Sequence, residues 1–254
     1  MPDRFDGRGF IVTGGTRGIG RAVVLAAAAE GAHVVLCGRA DGDVAAREEL
    51  LATAGNGRVS FVPADVSREA DVERLFDVAI EQLPRLDVVV NNAGAALDRL
   101  LVETTLDEWN TVLGTNLRGP FLMCRRAVEE FLGAGGGRIV NVASFAANGL
   151  VGQGAYATAK SALLALSRSV AKEYGRRGIA CNAVVPGFIE TAMTAGLAPG
   201  AQRSRARLSP YGRFGTAEEV ADAVLFLASD EASFVNGDEL YVAGAVRDVP
   251  RFDP

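Results

Sequence analysis

Histidine is nearly missing from this chain: His33 is the only one in 254 residues. A multi-histidine metal site is therefore excluded, and a Ser-His-Asp triad would have to recruit His33 itself. Lysine is scarce too, with Lys160 and Lys172 alone among 26 basic residues. The three cysteines, Cys37, Cys124 and Cys181, are odd in number and lack CxxC spacing. That usage argues against a disulfide frame or zinc cluster and fits reduced, buried thiols in a cytoplasmic protein, with no metal. No apolar run reaches the roughly 18–20 clean residues of a membrane span; the stretch 22–36 is interrupted by Glu30 and His33. Asp3 and Asp6 stand where a signal peptide would be basic and then apolar. A formal net charge of −5 argues against nucleic acid as the main partner.

What is present is a regular alternation. Short, β-branched apolar runs at 9–13, 33–37, 59–63, 86–90, 138–142, 179–185 and 239–242 read as strands. Helical stretches at 19–30, 43–53, 68–82, 106–132, 153–176 and 216–229 separate them. Continuously apolar strands linked by helices mean βαβ units, hence an α/β fold. The expectation is one doubly wound Rossmann domain over 1–254, a seven-stranded parallel sheet flanked by helices. The stretch 187–215, with Pro199, Pro210, Arg203, Arg205 and Arg207, breaks the rhythm after the sixth strand. Insertions at strand carboxyl ends are where ligand lids occur.

Strand one runs into Thr13-Gly14-Gly15-Thr16-Arg17-Gly18-Ile19-Gly20 and a helix follows at once. Glycines at Gly14, Gly18 and Gly20 permit a tight turn that brings backbone N–H groups and a helix N-terminus onto a pyrophosphate. A P-loop would end in Gly-Lys-Ser/Thr, which this turn lacks. Methyltransferases also carry a glycine turn after strand one, so the turn alone leaves the ligand open. At the end of strand two an NAD enzyme places Asp or Glu on the ribose 2′-hydroxyl. Here Cys37-Gly38-Arg39 occupies that position. Arg39, with Arg17 from the turn, suits a 2′-phosphate, so NADP(H) is the expected cofactor.

Tyr156 and Lys160 are i and i+4, on one face of a helix. An ammonium beside a phenol favours the phenolate and lowers its pKa, which would make Tyr156 a general acid at neutral pH. Ser144, twelve residues before Tyr156, ends strand five, so the two can converge where ligands sit in open α/β sheets.

In this ordered set the chain resembles a short-chain dehydrogenase/reductase of the shorter, common subtype, close to β-ketoacyl-(acyl-carrier-protein) reductases and polyketide ketoreductases. The resemblance spans about residues 5–244. It rests on the glycine turn, Asp65-Val66, Asn91-Asn92-Ala93-Gly94, Asn116, Ser144, Tyr156, Lys160, Pro186-Gly187, Thr191, Gly212-Arg213-Phe214-Gly215 and Phe226-Leu227-Ala228-Ser229-Asp230. It implies that Tyr156 protonates the nascent alkoxide as hydride arrives, and that Ser144 holds the carbonyl oxygen. Lys160 would bind the nicotinamide ribose, and Asn116 would anchor a water that relays protons. The turn residues Gly14, Thr16, Arg17, Gly18, Ile19 and Gly20, with Arg39, would hold phosphates. Asp65 and Val66 would meet adenine, Asn92, Ala93 and Gly94 the adenosine side, and Pro186, Gly187, Ile189 and Thr191 the nicotinamide amide. A cytoplasmic homotetramer is also implied, through the helices at 106–132 and 153–176.

Two departures bear on function. The Ser144-to-Tyr156 spacing is one residue shorter than is usual in the family, which trims the loop 145–154. The last strand ends Ala243-Gly244-Ala245 instead of Asp-Gly-Gly and is followed by a tail, 246–254. Phe145, Leu150, Val151, Phe188, Ile189, Met193 and Tyr211 are candidate pocket residues whose apolar character suits a hydrophobic ketone. The reading is therefore an NADPH-dependent ketoreductase acting on a 3-oxoacyl thioester, possible partner an acidic carrier protein met by Arg203, Arg205 and Arg207. A tailoring reductase of multi-ring aromatic polyketides, an alcohol or diol dehydrogenase working oxidatively, and a non-catalytic nucleotide-binding protein are the alternatives.

Overall fold

The computed structural model describes residues 4–39, 44–54, 58–191, 194, 196 and 198–246. Seven strands, β1 (Gly9–Thr13), β2 (His33–Gly38), β3 (Val59–Pro63), β4 (Val88–Asn91), β5 (Gly137–Val142), β6 (Ile179–Pro186) and β7 (Glu239–Val242), form one sheet in the order β3-β2-β1-β4-β5-β6-β7. Every pairing is parallel. The α-helices are α1 (Gly18–Ala29), α2 (Val44–Thr53), α3 (Glu69–Gln82), α4 (Leu106–Leu113), α5 (Gly119–Ala134), α6 (Gly154–Tyr174), α7 (Pro199–Ala206) and α8 (Ala217–Ala228).

The strand side chains show why this sequence makes a two-faced sheet. Phe10 and Val12, Val34 and Leu36, and Val88 and Val90 pack into one core with Val23 of α1 and Val220 and Val224 of α8. The residues between them, Ile11, Val35 and Val89, enter the opposite core with Phe76 of α3 and Met123 and Phe131 of α5. With a period of two and both faces covered, neither face can be polar. The cysteines behave as the small hydrophobes expected of them, all three being buried. The chain reverses its direction of winding between β1 and β4, which opens a crevice at the carboxyl ends of those strands. His33 opens β2, at the other end of the sheet.

The helix expected at 106–132 is two helices. Asn116 and its neighbours form a π-helical turn, Gly114–Arg118, between α4 and α5. Pro120 has no N–H with which to bond the Asn116 carbonyl in the α-helical pattern, and the Gly119 N–H bonds back to Gly114 instead. The Asn116 amide also donates to the Val112 carbonyl at 2.8 Å. Such competition is how a π turn is locally stabilised.

The insertion after β6 is tied at its base, where Glu190 N–H donates to the Gly215 carbonyl and Gly215 N–H to the Phe188 carbonyl, at 2.8 and 2.9 Å. Beyond β7, Ser209 Oγ donates to the Gly244 carbonyl at 2.9 Å, and Val246 is buried beside Phe145 and Ala183. The rest of the tail expected at 246–254 lies outside the described residues. No helix among the described residues is long and apolar enough to cross a membrane.

Candidate active site

The glycine turn is held open by its neighbours. Gly14 and Gly18 have φ of +64° and +54°, conformations that glycine adopts without strain. A Cβ on Gly14 would lie 2.9 Å from the Ala93 Cα, and one on Gly20 only 2.3 Å from the Gly14 carbonyl oxygen. Asn92 secures this approach by donating its amide to the Thr13 and Gly14 carbonyls at 2.9 and 3.0 Å. Its side chain is thus a brace for the turn. The first turn of α1 has no side-chain cap at Arg17, so its N–H groups face the cleft unanswered by a capping side chain. This is the arrangement that receives an anion.

One cleft of about 1230 Å³ runs from this turn to the end of β5. Gly14, Thr16, Arg17, Gly18, Ile19, Arg39, Asp65, Val66, Asn92, Ala93 and Gly94 line it, as do Ser144, Tyr156, Lys160, Pro186, Gly187, Ile189 and Thr191. Gly20 and Asn116 are not on its wall. Gly20 packs behind the turn. Asn116 is fully buried: its amide donates to the Ala95 carbonyl at 2.7 Å and its Oδ1 accepts from Ala95 N–H at 3.3 Å. The Asn116 side chain is therefore spent on backbone, clamping the loop after β4 to the π turn.

Arg17 and Arg39 stand exposed at the mouth beside the turn. Arg47 of α2 joins them with its guanidinium 4.8 Å from the centre of the Phe61 ring. No motif marked Arg47; its only signal was a third cation on the helix that follows Arg39. Asp65 receives Ser67 N–H and Oγ–H at 2.9 and 2.7 Å, which fixes the loop after β3 at the same end. Gly187 lies so close to β7 that a Cβ would sit 2.8 Å from the Ala243 Cα.

At the other end Ser144, Tyr156 and Lys160 come together. Tyr156 faces Ser144: burial raises the phenol's pKa, the neighbouring Ser144 hydroxyl opposes that rise, and the Asp98 carboxylate adds to it. The shift is upward, contrary to the lowering expected from Lys160, which is not among its causes. The Lys160 ammonium lies 5.6 Å from the Tyr156 ring centre and donates to the Val142 carbonyl at 2.6 Å. Burial brings its pKa down to about 8. Ser144 Oγ accepts the Ala146 N–H at 3.2 Å, which starts the short 3₁₀ turn Phe145–Asn148. The trio thus offers a protonated phenol, a hydroxyl and a buried amine near neutrality, at one point of the cleft.

Phe145, Leu150, Phe188 and Ile189 line the cleft beside this point. Val151 and Tyr211, expected with them, are instead turned to the surface, 77% and 76% exposed. An apolar residue in a loop carries no periodicity to say which way it points. Met193 lies outside the described residues. Asp98, whose carboxylate accepts the Gln153 amide at 2.9 Å, was not anticipated and lines the same wall.

A family model described as enoyl-(acyl carrier protein) reductase matches residues 14–246. The chain is 36% identical to the 3-oxoacyl-acyl-carrier-protein reductase FabG of Aquifex aeolicus (strain VF5), over 97% of this chain and 100% of that one. It is 37% identical to the FabG of Escherichia coli (strain K12), over 95% and 98%, and 38% identical to that of Chlamydia pneumoniae, over 94% and 97%.

Proposed function

The chain belongs to the short-chain dehydrogenase/reductase family of oxidoreductases, and from that premise we propose that it is an NADPH-dependent ketoreductase. Its substrate is a hydrophobic ketone, a 3-oxoacyl thioester borne by a carrier, which it turns into a secondary alcohol. The observation that carries this reading is the single cleft joining the uncapped α1 N-terminus and its arginines to the Ser144–Tyr156 pair.

The residues fit the nucleotide: Gly14 and Gly20 let the turn close against Ala93 and Asn92 and present the uncapped α1 N-terminus to a pyrophosphate, and Arg17, Arg39 and Arg47 line the same cleft with the cations that a 2′-phosphate would need. When bound, NADPH supplies the hydride. Ser144 and Tyr156 point hydroxyl donors at one substrate oxygen and so stabilise the negative charge that develops there. Tyr156 then gives that oxygen its proton. A phenol raised by burial is protonated at neutral pH, the form that an acid needs. Lys160, with a pKa of about 8, holds a proton that can restore Tyr156. For a relay onward, Asn116 offers its main-chain carbonyl, since its amide is spent on Ala95 and Val112. Convergence of all three reacting residues disfavours a non-catalytic role.

The segment 187–215 acts as the lid of one catalytic domain. Assembly is as a cytoplasmic homotetramer, supported by the apolar exposure of Leu101, Val102, Leu106 and Phe121 on α4, α5 and the loop before them. A second substrate reading, a multi-ring aromatic ketone, is favoured by the ring wall of Phe145 and Phe188, whose centres are 4.8 Å apart. The test is incubation with NADPH and an acetoacetyl thioester, followed by mass analysis. The 3-hydroxyacyl product supports the reading; recovery of unreacted ketone from both the thioester and a fused-ring ketone refutes it.

A further inference from the structure

The three lid arginines have different surroundings. Arg203 opens on a separate cavity of about 580 Å³, with Glu190 and Arg213. Arg207 lines neither space, and Arg205 alone lines the catalytic cleft. Arg205 is half-buried, and its guanidinium lies 5.5 Å from the centre of the Phe188 ring. Phe188 is itself fixed, edge-on to Phe145 at 4.8 Å and stacked with Phe214 at 5.6 Å. Phe145 follows Ser144 directly. The cation is therefore held against the aromatic wall that runs through Phe188 to Phe145, beside Ser144 in the cleft, by a ring that restricts its motion without neutralising it.

Among the described residues no carboxylate pairs with Arg205, whereas Arg213, on the same lid, is paired with Glu219 at 2.6 Å. A half-buried arginine with no counter-ion among the described residues is complementary to an anion. The opposite flank has the opposite sign. Asp98 follows β4 and Arg205 follows β6, and the sheet order puts β5, which leads into Ser144, between them. A ketone carrying an anionic group would be drawn to the lid side and repelled from the Asp98 side.

We propose that Arg205 is the centre of an anion subsite: the ketone reduced here carries a carboxylate or phosphate on its lid side. This deepens the ketoreductase reading and rests on it. Two sources share the chemistry, a carboxylate on the ketone itself and the phosphate of a pantetheine arm.

The experiment compares matched pairs with NADPH as reductant. One pair is S-acetoacetyl-pantetheine and its 4′-phosphate. The other set is methyl-ketone carboxylates of graded chain length and their methyl esters. In the wild type the anionic member should be favoured roughly tenfold in kcat/KM, mainly through KM, in one of the two sets, and that set names the source. Arg205→Gln should bring the preference close to unity, and Arg205→Lys should restore part of it, with melting temperatures confirming that both variants fold. Equal use of anion and neutral partner in both sets, or a preference that survives in Arg205→Gln, overturns the subsite. Calorimetric titration of the protein with the carboxylates and with pantetheine 4′-phosphate alone reads the subsite apart from turnover. Binding that weakens in Arg205→Gln supports it even where no ketone is reduced and the ketoreductase reading has failed; absence of binding, or binding that is unchanged in the variant, counts against it.

Discussion

The Lys160 ammonium is hydrogen-bonded to the Val142 carbonyl oxygen at 2.6 Å, so the second turn of α6 is tied to the end of β5 just two residues before Ser144. This bond sets the spacing of the catalytic group. Tyr156 lies one helical turn before Lys160, so anchoring the lysine to the strand brings the phenol over the strand's last residues, where it meets Ser144. A compact ammonium suits a bond to a single carbonyl better than the planar fork of an arginine does.

Tyr156→Phe removes the proton donor and keeps the ring. Turnover should fall by about 10²–10⁴-fold, while NADPH affinity, followed by fluorescence titration, stays near that of the wild type. A variant that keeps most of its turnover would show that the proton comes from elsewhere.

The buried Lys160 carries a pH signature. Its folded-state pKa of about 8 lies below the ordinary 10.5, so the charged form is disfavoured by folding. The penalty is fully present below pH 8, and stability rises with pH as the amine titrates between those values. Thermal unfolding of wild type and Lys160→Met between pH 7 and 10 should show the difference shifting toward the wild type by roughly 2 kcal/mol. A constant difference would mean that the amine is not desolvated.

Arg39→Asp replaces a phosphate partner by a repelling charge. The Kd for NADPH should rise by more than about tenfold, the scale of a lost charged hydrogen bond, with a much smaller change for NADH. Equal losses for both nucleotides would make Arg39 a structural residue.

Gly20→Ala places a methyl group 2.3 Å from the Gly14 carbonyl oxygen and 2.4 Å from the Asn92 amide. The turn must shift, at a cost of about 1–3 kcal/mol in stability, and both nucleotides should bind more weakly. Unchanged binding would show that the turn geometry is not what the nucleotide reads.

The sheet, the glycine turn and the Ser144–Tyr156–Lys160 set were legible because each is written in local pattern: two-sided apolar strands, positive-φ glycines, an i,i+4 pair. The break between α4 and α5 was not, since apolar spacing continues across Asn116 and the interruption comes from Pro120's missing N–H and a side chain competing with backbone. Asn92 lines the cleft as expected, and what spacing did not reveal is that the amides of Asn92 and Asn116 also hold Thr13, Gly14, Ala95 and Val112. An asparagine's partners come from tertiary neighbours that no spacing reveals. The same holds for the outward turn of Val151 and Tyr211, and for Arg47, Asp98 and Gln153, which join the cleft from three separate segments.

The central claim is a ketone reduction with NADPH in which Tyr156 gives the proton. It is tested most directly by following nicotinamide absorbance with purified protein and two ketones, an acetoacetyl thioester and a fused-ring aromatic ketone, each with NADPH and with NADH. The account predicts NADPH consumption with the thioester, little with NADH, and loss of both in Tyr156→Phe. Consumption with the ring ketone alone would keep the chemistry and move the substrate to the second reading. No consumption with either ketone would contradict the account.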